Sequence, residues 1–422
     1  LAQLSVAPTA RSAGNDRRFR RWQWRVFGVA WLSYASFYLC RVNLAVALPV
    51  IRDDLSWDAR TAGLVGGAFL WVYALGQLVN GMLGQRANAR WFVGAGMLVS
   101  ALCNAAFGSV SALPLMVVLW ALNGWVQSMG WGPIIKTIRA WFDPRRRGRI
   151  AALFSPCFVL GHLSAWAAGG WLVSRYGWRY AFWLPAAVFG TVALIWTVGI
   201  RPTPQAAGFA AAGERAGPPP AGLGRTLRSL LSQPRLRWAA LICILSSMIK
   251  DGLTLWAPTM LVDAWQMPVE RAALAASAVP LLGLAGSVLA GWATDRYFRS
   301  HEMPGVAGLS LVLGAAMAGF LLLPGGKGPW VAVLLLGLSG LAAYGINALL
   351  LTSLPLSFSA PAAVAGFLDF SSYVGGGTSA LVVGQLLARG SWDAVYGYWL
   401  AATLLAALIA TTGRRRLAAT TP

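Results

Sequence analysis

Apolar runs of membrane-spanning length recur along this chain from residue 25 to residue 413. Twelve can be placed, at 25–51, 61–84, 91–110, 113–138, 149–174, 179–200, 237–262, 271–294, 304–323, 330–353, 361–388 and 394–413. Each is long enough to cross ~30 Å of hydrocarbon at a helical rise of ~1.5 Å per residue. None alternates as a barrel strand would, so backbone groups in lipid must be satisfied within helices. Composition agrees: 57% of the 422 residues are hydrophobic and only 11% are charged. Mean hydropathy is +0.61. The expectation is an all-α membrane protein with twelve transmembrane helices.

The formal charge of +21 would suit a nucleic-acid binder, but its distribution does not. Of the 34 Lys and Arg residues, 24 lie in the N-terminal arm, the even-numbered turns or the C-terminal tail, and seven lie in the odd-numbered turns. That asymmetry predicts a multi-pass protein of the plasma membrane (a bacterial inner membrane) with both termini cytoplasmic. The arginines then set topology and touch anionic lipid, and no nucleic-acid partner is expected. The four cysteines sit in apolar runs and have no metal-ligand spacing, so neither a disulfide, a metal nor a cofactor is implied. The first run is too long for a removable signal peptide and reads as a retained signal anchor.

Polar intervals divide the chain. Residues 1–24 form a cytoplasmic arm, 25–200 a first six-helix bundle, 201–236 a linker containing Pro218-Pro219-Pro220, 237–413 a second bundle and 414–422 a tail. The two bundles echo one another. Gly81-x-x-x-Gln85-Arg86 follows the second span and Gly291-x-x-x-Asp295-Arg296 the eighth, 210 positions later. Arg41 answers Lys250 at a spacing of 209, and Trp178 answers Trp392 at 214. A duplicated half follows, and two pseudo-symmetric six-helix bundles with a site between them are the major facilitator fold. The glycine-containing turns, with Gly81, Arg86, Gly291, Asp295 and Arg296, read as a gate latch at the cytoplasmic side.

Lipid rejects charge, so the ionisable groups inside the spans are candidates for function. They are Arg41, Lys136, Lys250, Asp251, Asp369 and His162. Arg41 and Lys250 lie at similar depth, ~24 and ~20 Å from the cytoplasmic ends of their helices. Both acids belong to the second half, so Arg41 has no partner in its own. Two cations facing one midplane cavity suit a dianion, with arginine's planar fork gripping phosphate oxygens and lysine adding a point charge. Side chains at helical spacing surround them: Tyr34 and Tyr38 with Arg41; Tyr73 with Gln77; Asn123, Gln127 and Trp131; Phe154, Phe158, His162 and Trp166; Tyr344 with Asn347; and Asp369 with Tyr373. Lys136 is read as snorkelling to the interface, and His162 as a packing histidine or a coupling group. Asp251 and Asp369 either pair with Lys250 or meet the second end of a substrate.

At Arg41 and at Gly124-Trp125-Val126-Gln127-Ser128-Met129-Gly130-Trp131-Gly132-Pro133, the sequence resembles the organophosphate:phosphate antiporter family. The likeness continues through Arg146-Arg147-Gly148, Arg201-Pro202-Thr203-Pro204-Gln205, Trp256-Ala257-Pro258-Thr259 and Tyr373-Val374-Gly375-Gly376. The resemblance implies that basic residues in the first and seventh helices, here Arg41 and Lys250, bind a phosphoryl group. It also implies exchange of a phosphate ester for inorganic phosphate as the two halves rock. Lysine stands at 250 where the glycerol-phosphate type has arginine, Phe158 where it has histidine, and Gln77 where it has lysine. Asp251 and Asp369 are additions to the pattern.

The leading expectation is therefore a monomeric antiporter of a small organophosphate or phosphonate against inorganic phosphate. A proton-coupled symporter of an organic anion, using Asp251, Asp369 or His162, is one alternative. A membrane sensor of a phosphorylated ligand is another. An enzyme is not expected, because the spans contain no nucleophile–base pair.

Overall fold

The computed structural model describes residues 13–143, 146–209, 223–297, 301–322, 328–358 and 361–418. The first residues of the N-terminal arm, the Pro218–Pro220 run, the end of the tail and the side chain of Asp295 lie outside them. Every regular element among the described residues is helical. Ten helical stretches are long and apolar enough to cross a membrane by length and composition.

The other two expected spans show why sequence hydropathy alone falls short. The fourth is split into Leu113–Gln127 and Trp131–Trp141 by a turn at Ser128–Gly130, leaving neither piece long enough alone. The eleventh is one helix, Pro361–Arg389, whose middle carries Asp369, Ser371, Ser372 and Gly375–Gly377 and is correspondingly less apolar.

Spans two, three and six are single helices, Ala59–Arg86, Ala89–Ser109 and Tyr180–Gly199. The fifth is Arg147–Phe154 followed by Pro156–Tyr176. In the second half, Pro234–Trp265 is the seventh span and Val269–Ala276 with Ala278–Tyr297 the eighth. Glu302–Leu322 is the ninth and Trp392–Ala418 the twelfth. The tenth runs as Pro329–Asn347 and then loosens into a π-helical turn, Ala348–Ser353, a feature common at functional sites. Between the halves, Leu223–Leu231 forms a short helix.

The first span departs most from expectation. Its helix Ala13–Phe37 gives way to a 3₁₀ turn at Tyr38–Cys40, and a second helix, Asn43–Asp54, resumes beyond Arg41. Neither glycine nor proline sits in this break. Interrupting a helix frees carbonyls, and in lipid each must find a donor. Polar side chains of the third and fourth spans supply them. Cys40 O accepts from Asn123 Nδ2 at 2.8 Å, Gln127 Nε2 at 3.2 Å and Asn104 Nδ2 at 3.3 Å. Gln127 Nε2 also reaches Phe37 O at 3.3 Å. Asn43 Nδ2, at the start of the second helix, donates to Asn104 Oδ1 and Ala181 O, each at 3.0 Å.

Among the described residues the halves meet from mid-span to one end. Call the end carrying Arg86, Arg201 and helix Leu223–Leu231 the linker end. At the far end a single apolar core crosses between the halves, from Val46 and Val65 to Leu253, Ala273 and Ala380. There the second and eleventh spans touch backbone to backbone: a Cβ on Gly63 would lie 2.5 Å from Ala380 O, and one on Gly384 2.6 Å from Ala59 O. Arg52 pairs with Asp263 across the same end at 3.1 Å. A second core, including Phe37, Ile134, Phe189 and Trp196, belongs to the first half alone.

Candidate functional site

Arg41 projects from the break in the first span. Its Nε donates to Gln127 Oε1 at 2.9 Å, so one amide both receives the guanidinium and caps the freed carbonyls beneath it. The Arg41 Cζ lies 4.9 Å from the Tyr73 ring centroid and 5.3 Å from that of Tyr38. Such contacts stabilise a desolvated cation by ~2 kcal/mol. One donor nitrogen, Nη2, is buried without a hydrogen-bond partner.

Aromatic rings connect this cation to the other half. The Tyr73 ring sits 4.4 Å from the Tyr373 ring of the eleventh span. Lys250 Nζ lies 5.7 Å from the Tyr373 ring centroid. Lys250 also pairs with its neighbour Asp251, Nζ to Oδ1 at 3.2 Å, although adjacent helical positions diverge by ~100°. The long lysine stem makes up that divergence. Asp251 Oδ2 is buried and unpartnered, pressed against Gly376, where an added Cβ would lie 2.8 Å from it.

Asp369 is held differently. Its Oδ2 accepts from Gln77 Nε2 at 2.9 Å, and the same Gln77 nitrogen donates to Tyr73 OH at 3.1 Å. This bond crosses between the halves. One helical turn closer to the linker end, Gly81 and Gly366 have nothing within 4 Å of a built Cβ. The halves therefore separate just beyond Gln77 and Asp369, and the space between them opens toward the linker end. Arg41, Tyr38, Gln77, Asp369, Tyr373 and Tyr344 are accordingly only partly covered, despite lying at mid-span.

The remaining expected site residues fall into three groups. Tyr34, Trp131 and Phe158 form an aromatic cluster beside the arginine, with Tyr34 centred 5.0 Å from Trp131 and 5.2 Å from Phe158. Tyr34 is buried, and its ring lies 6.2 Å from that of Tyr38. The His162 ring lies 4.9 Å from that of Tyr38, tilted by 42°, and keeps a buried, unpartnered Nε2. At the linker end Arg86 and Arg296 are exposed, and neither Gly81 nor Gly291 approaches another helix. Lys136 is exposed at the linker end, where its Nζ donates to Gly84 O and Gln85 O at 3.4 and 2.5 Å. It thereby caps the C-terminal carbonyls of the second span.

An inventory restricted to ionisable groups passes over Asn43, Ser100 and Asn104, which hold the break open. The signal was present, because neutral polar groups in lipid also need partners and seldom occur without one. Asn123 lies wholly within this network and does not line the opening.

The family model described as Major Facilitator Superfamily matches residues 30–380. The chain is 27% identical over 426 residues to the glycerol-3-phosphate transporter of Bacillus subtilis (strain 168), covering 95% of each sequence. It is 24% identical over 415 residues to the probable hexose phosphate transport protein of Chlamydia trachomatis, covering 93% of this chain and 91% of that one. Among solved structures, a bacterial homolog of the human lysosomal transporter Spinster, in an inward-facing and unoccupied conformation, superposes with a TM-score of 0.78. Identity there is 17%, with 93% of this chain and 97% of that one covered, which establishes the fold. A chain with this match and ten helical stretches long enough to cross a membrane is a multi-pass integral membrane protein, and it belongs to the Major Facilitator Superfamily.

Proposed function

We propose that this chain exchanges a small organophosphate or phosphonate for inorganic phosphate by alternating access, with the linker end facing the cytoplasm. The observation that carries the reading is the buried, unpartnered Nη2 of Arg41 at the opening between the halves. A guanidinium with a free donor, fixed by Gln127 and backed by Tyr73, is poised for an oxyanion. Lys250, in the other half, lies 5.7 Å from the Tyr373 ring centroid and would supply a second charge on leaving its pair with Asp251. A phosphoryl group drawn between the two cations would pull the halves together at the linker end, and breakage of the far-end contacts would complete the cycle. The relatives' names, both for phosphate-ester carriers, support the substrate class. The arginine excess at the linker end supports the orientation, and the gate-latch reading of Gly81, Arg86, Gly291 and Arg296 applies to the closed state of that end.

The test is phosphate counterflow in proteoliposomes. Preloaded phosphate should accelerate uptake of labelled phosphate. Arg41→Lys should lower that rate by roughly tenfold to a hundredfold, the scale of a lost charged bidentate contact. Lys250→Arg should be milder, because an ammonium in an ion pair can be replaced by another cation. Equal effects of the two substitutions would remove the distinction between fork and point charge, and no counterflow at all would remove the antiport.

A further inference from the structure

Building on that anion site, we propose that the organic substrate is zwitterionic. Its phosphoryl group binds Arg41, and an ammonium a few bonds away binds Asp369. The class is an aminoalkyl phosphonate, or the phosphate monoester of a short amino alcohol.

Arg41 and Lys250 meet Asp251 and Asp369 around one opening, so the ionised side chains sum to zero. Lys250 and Asp251 already neutralise each other at 3.2 Å. That leaves Arg41 and Asp369, which do not touch. Arg41 is held by one amide, Gln127, and Asp369 by another, Gln77. Tyr73 stands between them, with its ring against the guanidinium and its hydroxyl accepting from Gln77. Two opposite charges are thus kept apart by one tyrosine, each retaining capacity: Arg41 through Nη2, Asp369 through Oδ1, since only its Oδ2 is engaged.

A plain dianion entering this site would satisfy the arginine and place its remaining charge near an uncompensated carboxylate. In a poorly solvated cavity that repulsion is costly. A molecule carrying both charges, separated by about the width of a phenol ring, removes the conflict. Asp251 is the rival acceptor, but it is paired with Lys250 through Oδ1, and its free Oδ2 is buried against Gly376.

Isothermal titration of the purified full-length protein with 2-aminoethylphosphonate, phosphoethanolamine and propylphosphonate tests this. Both amino compounds should bind roughly tenfold or more tighter than propylphosphonate, the effect of one charge-assisted hydrogen bond. Comparing the two amino compounds tells phosphonate from ester. Asp369→Asn should bring the ratio near one, Asp369→Glu should restore it, and Asp251→Asn should retain a preference. Equal binding of the three compounds by the unmodified protein overturns the proposal. So does a preference that survives Asp369→Asn or vanishes only in Asp251→Asn. Inorganic phosphate titrated in parallel separates the two readings. Phosphate binding without amine preference sinks the zwitterion alone, whereas absent phosphate binding removes the anion site beneath it.

Discussion

A buried guanidinium carries five donors, and the side chain that takes the first of them determines what the others can do. Gln127 offers Arg41 a neutral acceptor at 2.9 Å, which fixes the plane of the fork without cancelling its charge. Glutamate at the same position would supply a full counter-charge at the same distance and compete with any incoming anion. Gln127→Glu is therefore expected to raise the phosphate concentration for half-maximal exchange by roughly tenfold or more, while the protein stays folded. Both substitutions take the Nε2 donor from Phe37 O, Cys40 O and Ser100 Oγ. Gln127→Leu also strips Arg41 Nε of its acceptor and leaves the buried guanidinium without a partner there. Its melting temperature in detergent should fall below that of Gln127→Glu. Tighter phosphate binding by Gln127→Glu would mean that the anion does not sit at Arg41.

The broken first span is the element on which the site depends. Cys40 O gathers donors from Asn104, Asn123 and Gln127, so the break is fastened to the third and fourth spans. Polar contacts of this kind in membranes contribute ~0.6 kcal/mol each on average, which is little for folding but enough to hold one side chain in place. Asn123→Leu should thus cost about 1 kcal/mol or less of stability. It should still weaken phosphate affinity several-fold, with the maximal exchange rate less affected. A maximal rate that falls while affinity holds would show that the network serves motion and does not position Arg41. How legible this was differs from element to element. The apolar length of each run announced the spans, and the absence of an acid from the spans of the first half singled out Arg41. The break itself carries no glycine or proline, because it is imposed by amides from distant helices and not by local backbone preference. The Lys250–Asp251 pair defied the angular argument through the reach of a flexible stem. The Gln77–Asp369 bond joins residues 292 positions apart, a pairing that periodicity within either helix cannot indicate.

At the scale of the whole molecule, the two halves are joined by contacts of unequal strength. The Arg52–Asp263 pair is partly exposed, so in itself it contributes at most ~1 kcal/mol. The backbone approach of the second and eleventh spans is harder to relax. Gly63 Cα would lie 3.2 Å from a Cβ on Gly384, and Ala59 O 2.6 Å from it, and neither atom can swing aside as a side-chain tip could. A larger residue at 384 must separate the helices at the far end. On the proposed rocking of the halves about the site, parting there favours closure at the linker end, where Gly81 and Gly366 now face open space. Gly384→Leu is therefore expected to shift the population toward the oppositely open state. Spin labels at Arg60→Cys and Arg389→Cys, exposed positions near the far ends of these two spans, report it directly. The native cysteines Cys40, Cys103, Cys157 and Cys243 are all buried, which keeps background labelling low. The inter-label distance should acquire a longer component in Gly384→Leu, and phosphate should redistribute the two components. A single unchanged distance would mean that the glycine contact is mere packing, and that the closed far end is held by the apolar core between the halves.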